Sequence, residues 1–376
     1  MLRQHGYHTA AMGKWHLGFT LQDVSAVSGK AAVKSGSAVV GMKTPNGPTT
    51  RGFDEFHGFQ HSRSMQGFFE NDRVAEDVKP VDMLPKLTGL ATEFISNRAR
   101  MRQPFFLYLA LNSPHSPIVP AKEWQGKSGL GDYGDFVMET DWAVGQVLAA
   151  VQKAGIANDT LVVFTSDNGC SPGAGTEKLE AQGHFASAQF RGYKSDIWDG
   201  GHRIPFIVRW PGKVKSGSRS ETMICLTDFM ATVAEIVGAK IPEAAAEDSF
   251  SFLGDLLGRG RSIRTNLVHH SIQGQFAIRE GAWKLELCPG SGGWGAPKDA
   301  AANQRNLPPV QLYDLLSDIG ETNNLQSTQP EVVKRLTAQL ERVVANGRST
   351  RGEPGKNDVK VNLHKADRGQ MPVTSK

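Results

Sequence analysis

Two almost continuous apolar runs constrain the fold of this chain. They are Phe105-Phe106-Leu107-Tyr108-Leu109-Ala110-Leu111 and Thr160-Leu161-Val162-Val163-Phe164-Thr165. The first reads as a strand covered on both faces, the second as a central strand. Each stops at a polar cluster, Asn112-Ser113-Pro114-His115-Ser116-Pro117 in one case and Ser166-Asp167-Asn168-Gly169 in the other. Helical periodicity over 84–100 places Leu84, Leu87, Leu90, Ala91 and Phe94 on one face, and 133–154 reads as a second helix. Ile204 to Trp210 reads as a strand and Thr227 to Val237 as a helix. Strands alternating with helices in this way imply an α/β fold with a mostly parallel sheet. Ligands in such folds gather beyond the carboxyl ends of the strands.

The chain opens on Gly6-Tyr7-His8-Thr9-Ala10-Ala11-Met12-Gly13-Lys14-Trp15-His16-Leu17-Gly18. Residues 2–6 read as a helix end closed by Gly6, and Thr9 to Met12 as a short strand. Residues 18–60 read as a loop whose aromatic side chains pack it back on the domain. From about residue 265 the texture changes to short strands at 266–270, 276–279, 283–287 and 311–315, then an amphipathic helix at 332–344. The expected organisation is an α/β domain over 1–262, a small α+β subdomain over 263–346 and a loose tail over 347–376.

Composition excludes several classes. The net charge of +4, from 42 basic and 38 acidic residues, is spread along 376 residues and gives no nucleic-acid footprint. No segment approaches the roughly 20 apolar residues that span a bilayer. The three cysteines, Cys170, Cys225 and Cys288, have no zinc spacing and are too few for a disulfide framework. The opening residues lack the apolar core of a signal peptide.

The candidate chemistry lies in the polar clusters. Lys14 and His16, two apart between glycines, can direct two cationic or proton-donating groups at one anion, with Trp15 turned to the core; the alternative is an edge strand with two exposed polar residues. Asp167 and Asn168 are hard oxygen donors suited to calcium or magnesium, or else part of an Asx-turn. His115, in a proline-fixed loop, fits a proton donor or anion ligand, or a histidine capping a backbone carbonyl. Lys194 offers a point charge for a tetrahedral anion, or is a solvated surface lysine, and Arg203 reads as a structural ion pair. Together these residues describe a hydrolase for an anionic substrate with a hard divalent cation. No phosphate loop, nucleophile elbow or dinucleotide fingerprint is present.

These segments carry a family resemblance. Gly6 to Gly18 closely resembles the second signature of type I, formylglycine-dependent sulfatases (the arylsulfatases). Asn112 to Pro117 resembles that family's central histidine loop, Ser166 to Gly169 its metal pair, and Arg191 to Pro205 its late lysine segment, with Asp199 where glutamate is frequent. Gln311 to Leu315 and Asp318 to Leu325 resemble its C-terminal motif, with Ile319 in place of proline. The resemblance covers residues 1 to about 345 and implies an alkaline-phosphatase-like sandwich with a small C-terminal antiparallel sheet and helix.

It further implies calcium, less readily magnesium, held in part by Asp167 and Asn168. It implies a formylglycine nucleophile, with Lys14 neutralising its oxygens or the sulfate and His16 orienting one hydroxyl. His115 and Lys194 would bind sulfate and act on the leaving oxygen. The implied substrate is a sulfated small molecule or glycan, the implied partner a formylglycine-generating maturation enzyme, and the implied location periplasmic or extracellular.

The nucleophile is the departure. Formylglycine arises from Cys/Ser-x-Pro-x-Arg, and no such sequence occurs here; Cys170-Ser171-Pro172-Gly173-Ala174 has alanine where arginine is needed, and Cys288-Pro289-Gly290 fails too. The first-strand acidic ligands also have no candidate, since residues 21–50 hold a single acid, Asp23. The expectation is an N-terminally truncated or mis-started sulfatase without turnover, lacking a sheet strand and leaving apolar surface uncovered. A phosphoester or phosphonate hydrolase of the same superfamily and a non-catalytic binder of sulfated ligands are the alternatives.

Overall fold

A computed structural model describes residues 1–18, 20–21, 38–62, 65, 67–260 and 263–364. Asp23 and the last part of the tail lie outside the described residues. The chain forms two compact units, Met1–Thr160 with Gly173–Gly175, and Leu161–Pro172 with Thr176–Lys376.

The first unit is built on β1 (His8–Lys14), whose burial is continuous from Thr9 to Gly13. It lies inside a five-stranded sheet ordered β4-β3-β2-β1-β5, with β2 Glu55–Phe59, β3 Gly67–Glu70, β4 Arg73–Asp77 and β5 Phe105–Ala110. β1 pairs in parallel with both β2 and β5, while β2-β3 and β3-β4 are antiparallel. The expected loop over 18–60 therefore contains a strand. Helix α1 (Pro80–Met101) buries Met83, Leu84, Leu87, Thr88, Ala91, Phe94 and Ile95. Those positions recur every three or four residues, so one stripe faces inward. The stripe joins Ala10, Met12, Phe59 and Phe68 in the main core of the unit. Helix α2 (Gly131–Lys153) adds Val151 to that core and packs Phe136 and Ala143 around Leu84.

In the second unit β6 (Val162–Thr165) pairs antiparallel with β7 (Phe206–Arg209) in a two-stranded sheet. The expectations of a strand covered on both faces for the first apolar run and of a central strand for the second both fail. Among the described residues β5 is the edge of its sheet and β6 has β7 as its one partner. Tyr108 is 47% exposed, Phe164 36% and Ile207 60%. The side chains suit cover that the described neighbours do not provide.

Between β6 and β7 lies the single turn α3 (Asp199–His202), and after β7 comes α4 (Asp228–Val237). A four-stranded antiparallel sheet follows, ordered β11-β10-β9-β8, from β8 (Asn266–His270), β9 (Phe276–Glu280), β10 (Trp283–Glu286) and β11 (Gln311–Asp314). Helix α5 (Pro330–Asn346) drops Leu336 and Leu340, both fully buried, onto Ile278, Leu285 and Leu312. Burying such a leucine contributes about 1.5–3 kcal/mol. The start of the tail is not loose: Leu363 joins this core, and the Arg348 guanidinium donates to Glu353 O and Thr350 Oγ1. No described helix is long and apolar enough to cross a membrane.

The strands of the first unit crowd together at one place. A Cβ added to Gly13 would stand 1.9 Å from Ala110 O, and one added to Gly58 would stand 1.9 Å from Gly13 O. Gly13 also has φ 104°, in the region that disfavours side chains. Gly13→Ala is therefore expected to cost at least about 3 kcal/mol in urea unfolding, since backbone atoms cannot swing aside as a side chain would. A loss below about 1 kcal/mol would show that the sheet opens easily there.

Candidate active site

The first group of site residues sits where β1 leaves its sheet. Lys14 is the last residue of β1 and is half-buried. Pairing with β2 continues past the strand, through Trp15 N–H to Phe59 O at 3.0 Å and His16 N–H to Gln60 O at 2.9 Å. β1 is an interior strand, so the edge-strand alternative for Lys14 and His16 does not hold. Trp15 packs inward, edge-on to Phe53 with ring centroids 6.0 Å apart. His16 is exposed with φ 54°, a left-handed backbone rare for a residue with a side chain. Its ring lies edge-on to His61, centroids 4.3 Å apart. His61 was not singled out by sequence; its one signal was its place just past an unrecognised strand.

β5 runs parallel beside β1 with Gly13 opposite Ala110, so the loop after β5 leaves the same end of the sheet. That loop carries His115, which is exposed and whose Nδ1 lies 2.7 Å from Ser116 O. A carbonyl only accepts, so Nδ1 is the donor in this bond and Nε2 is left out of it. The carbonyl-capping geometry is thus real, and it also fixes the ring. Asn112, at the start of the loop, is 1% exposed with neither amide atom hydrogen-bonded.

The second group lies in the second unit, after β6. Asp167 is exposed and Asn168 half-buried. The Asn168 amide donates to Gly169 O at 3.1 Å, which leaves its Oδ1 to accept. Gly169 N–H bonds Gly201 O at 3.1 Å, and a Cβ at Gly169 would meet Gly200 O at 1.8 Å, so only glycine fits. Lys194 N–H bonds Cys170 O at 2.7 Å, which brings the lysine segment alongside the Asp-Asn pair. The two oxygen donors have the hardness calcium prefers, but they are fewer than the six to eight it takes. Among the described residues no group of three or more His, Cys, Asp or Glu could hold a metal.

Arg203 makes the expected ion pair, 3.7 Å from Asp199, and covers the Phe190 ring. Tyr193, next to Lys194, has its phenol pushed up to about 12 by burial and by its hydrogen bond to Glu180. Behind this segment lie charges that sequence reasoning missed. Burial works to raise Asp199, but the Lys284 ammonium outweighs it and holds the carboxyl at about 2. Burial first, then Lys284, lower His202 to about 4 and His269 well below its ordinary value. The two imidazoles stand 4.3 Å apart.

A mixed sheet flanked by helices, with a small antiparallel sheet after it, is the fold that solved sulfatases share. The chain belongs to the sulfatase family: the Sulfatase family model matches residues 1–239. It is 30% identical over 397 residues to an N-acetylgalactosamine-6-O-sulfatase of Bacteroides thetaiotaomicron, covering 91% of this chain and 76% of the relative. It is also 30% identical over 403 residues to human arylsulfatase A, covering 94% and 73%. A solved structure concerning glycosaminoglycan metabolism by Bacteroides thetaiotaomicron matches with TM-score 0.76 at 28% identity, over 91% of this chain and 80% of that one. A structure solved with its substrate D-glucosamine-2-N,6-O-disulfate shares the fold, with TM-score 0.62 at 19% identity over 91% and 80%.

The buried imidazoles set a pH dependence. Their pKa values are lower in the folded than in the unfolded chain, where histidine titrates near about 6.5. Above that pH both states are neutral and no stability is lost; below it the unfolded chain gains protons that the folded chain refuses. Stability of the second unit should therefore fall as pH drops from about 6.5 toward about 4, with His202 alone contributing on the order of 3 kcal/mol. Denaturant unfolding at the two ends of this window, repeated on His202→Gln, should show a smaller loss in the variant; an unchanged loss would remove His202 as the cause.

Proposed function

We propose that this sulfatase takes a sulfated carbohydrate, and that Lys14, His16, His115 and Lys194 are its sulfate-handling residues. The observation that carries the reading is the Lys14–His16 pair, held at the end of an interior strand by backbone pairing that runs on through His16. Lys14 supplies a fixed positive charge to the sulfate oxygens. His16 and His115 hold imidazoles suited to moving a proton or binding an oxygen. Lys194 supplies a second cation. The carbohydrate class is supported by the N-acetylgalactosamine-6-O-sulfatase relative and by the fold shared with the glucosamine-disulfate complex.

Asp167 and Asn168 are proposed as part of a calcium site. Their oxygen donors suit the ion, and when bound it would offset negative charge on the sulfate. The formylglycine nucleophile is proposed to lie outside these residues, because no Cys/Ser-x-Pro-x-Arg sequence occurs among them. This chain on its own is then a sulfate binder without turnover.

Calorimetric titration with sodium sulfate, and with 6-O-sulfated and unsulfated N-acetylgalactosamine, tests this. Sulfate and the sulfated sugar should bind and the unsulfated sugar should not. Lys14→Ala should weaken sulfate binding roughly tenfold, about 1.4 kcal/mol, the scale of a charge-assisted contact. Turnover of the sulfated sugar by this chain would overturn the assignment of the nucleophile. Equal binding of Lys14→Ala would overturn that of the cation.

A further inference from the structure

Lys284 lies on β10, in the small antiparallel sheet, and is completely buried. Its ammonium donates to Asp199 Oδ1 at 2.8 Å, Glu321 Oε1 at 2.6 Å and Ile197 O at 3.0 Å, and Glu286 Oε1 is 3.1 Å away. Glu286 and Glu321 are also completely buried, and Asp199 is 5% exposed. Three carboxyl groups and one lysine have thus left water together, and burial pushes the Glu286 carboxyl up, toward its neutral form. Replacing such a cluster as a whole by well-packed apolar residues is frequently neutral or stabilising, so stability alone does not account for it. What the cluster does accomplish is directional: two of the ammonium's hydrogen bonds, to Ile197 O and Asp199 Oδ1, end on the segment that carries Lys194.

The rest of the grip on that segment points the same way. The Asp199 N–H bonds Glu321 Oε2 at 2.7 Å, and the Arg191 guanidinium donates to Glu321 O at 2.7 Å. Glu321 therefore ties both ends of residues 191–199. Trp198 Nε1 donates to Gln311 Oε1 at 3.2 Å, and Gly295 N–H bonds Asp196 Oδ1 at 2.8 Å. Ser195, next to Lys194, has φ 85°. Its carbonyl accepts from Ile272 N–H at 3.0 Å and its hydroxyl from Trp294 N–H at 3.0 Å. A non-glycine residue persists in such a conformation only where its surroundings over-determine it.

We propose that Lys284, with Asp199 and Glu321, is a positioning residue for Lys194, by which the C-terminal sheet sets the place of a sulfate-binding cation. This rests on the reading of Lys194 as a sulfate ligand. Lys284 itself meets no substrate.

The test compares the full chain with Lys284→Met, Glu321→Gln, Lys284→Arg and Lys194→Ala, by amide hydrogen exchange and by titration with sodium sulfate. Lys284→Met should lose at least a hundredfold of exchange protection over Tyr193–Gly201 while α5 and β1 keep theirs. It should also weaken sulfate binding by about as much as Lys194→Ala, roughly tenfold. Lys284→Arg, which keeps the charge, should recover part of both losses. Unchanged protection over 193–201 together with sulfate binding within twofold of the parent would overturn the proposal. Should Lys284→Met fail to fold, Glu321→Gln decides: it leaves one acceptor oxygen where the Lys284 ammonium and the Asp199 N–H now use two, and full protection of 193–201 in that variant would equally overturn it. Should Lys194→Ala bind sulfate like the parent, the ligand reading of Lys194 falls, and with it the functional half of the proposal. The exchange rates would then report separately whether Lys284 anchors the segment.

Discussion

The closeness of β2 and β5 to β1 at Gly13 governs what the first unit can offer a ligand. Backbone meets backbone there with no room for a methyl group on either Gly13 or Gly58. One residue further on, the strand has to present a lysine, and two further a histidine. A flexible loop could carry the same side chains, but it would have to be ordered each time an anion arrived, at an entropic cost per residue. A strand pinned on both sides has met that cost in folding. The core beneath it is apolar and continuous from Ala10 to Ile95, so the rigidity at Lys14 draws on the burial of α1.

The second unit reaches rigidity by other means. Among the described residues its β6–β7 sheet is two strands wide, and such a ribbon is marginal in isolation. The segment between those strands is tied instead to the four-stranded sheet behind it, through buried charge. A lysine among three carboxyl groups is a poor source of stability but a strict source of geometry, because each bond has a direction and a misplaced partner leaves a buried polar group unsatisfied. Asp199 held near 2 is the electrostatic trace of one fixed ammonium, while His202 and His269 are lowered first by burial and then by the same charge.

How much of this was legible in sequence depended on whether neighbours obeyed the local pattern. The α1 stripe announced itself by periodicity, β5 by its continuous apolar run, and the strands at 266–270 and 311–314 as short segments between turns. β2 did not, because Glu55-Phe56-His57-Gly58-Phe59 carries glycine and charge where strands rarely do. Phe56 and Gly58 nevertheless alternate inward as a strand requires. β3 and β4 were hidden by brevity. The strand at Trp283-Lys284-Leu285-Glu286 was legible, but the burial of its charges was not. Alternation would put the charges on a solvent face, yet both Lys284 and Glu286 are completely buried, because that face of the sheet meets the 196–199 segment. Only a tertiary contact reverses the meaning of such a pattern, and no local rule contains it.

The candidate cations share a further trait that composition could not reveal. His16 at φ 54° and Ser195 at φ 85°, adjacent to Lys194, both occupy left-handed backbone without being glycine. Neither is relieved by an obvious sequence choice: glycine stands nearby at Gly13, Gly18 and Gly192 but not at these positions. Strain of this kind is tolerated where the local fold fixes more bonds than the residue needs. Both residues meet that condition, His16 through the continued pairing to Gln60 and Ser195 through Ile272 and Trp294. At His16 the left-handed turn bends the chain where its imidazole is presented. At Ser195 it does so one residue after the lysine. In each unit, then, the backbone is forced beside a candidate site residue, and the surrounding hydrogen bonds hold it there.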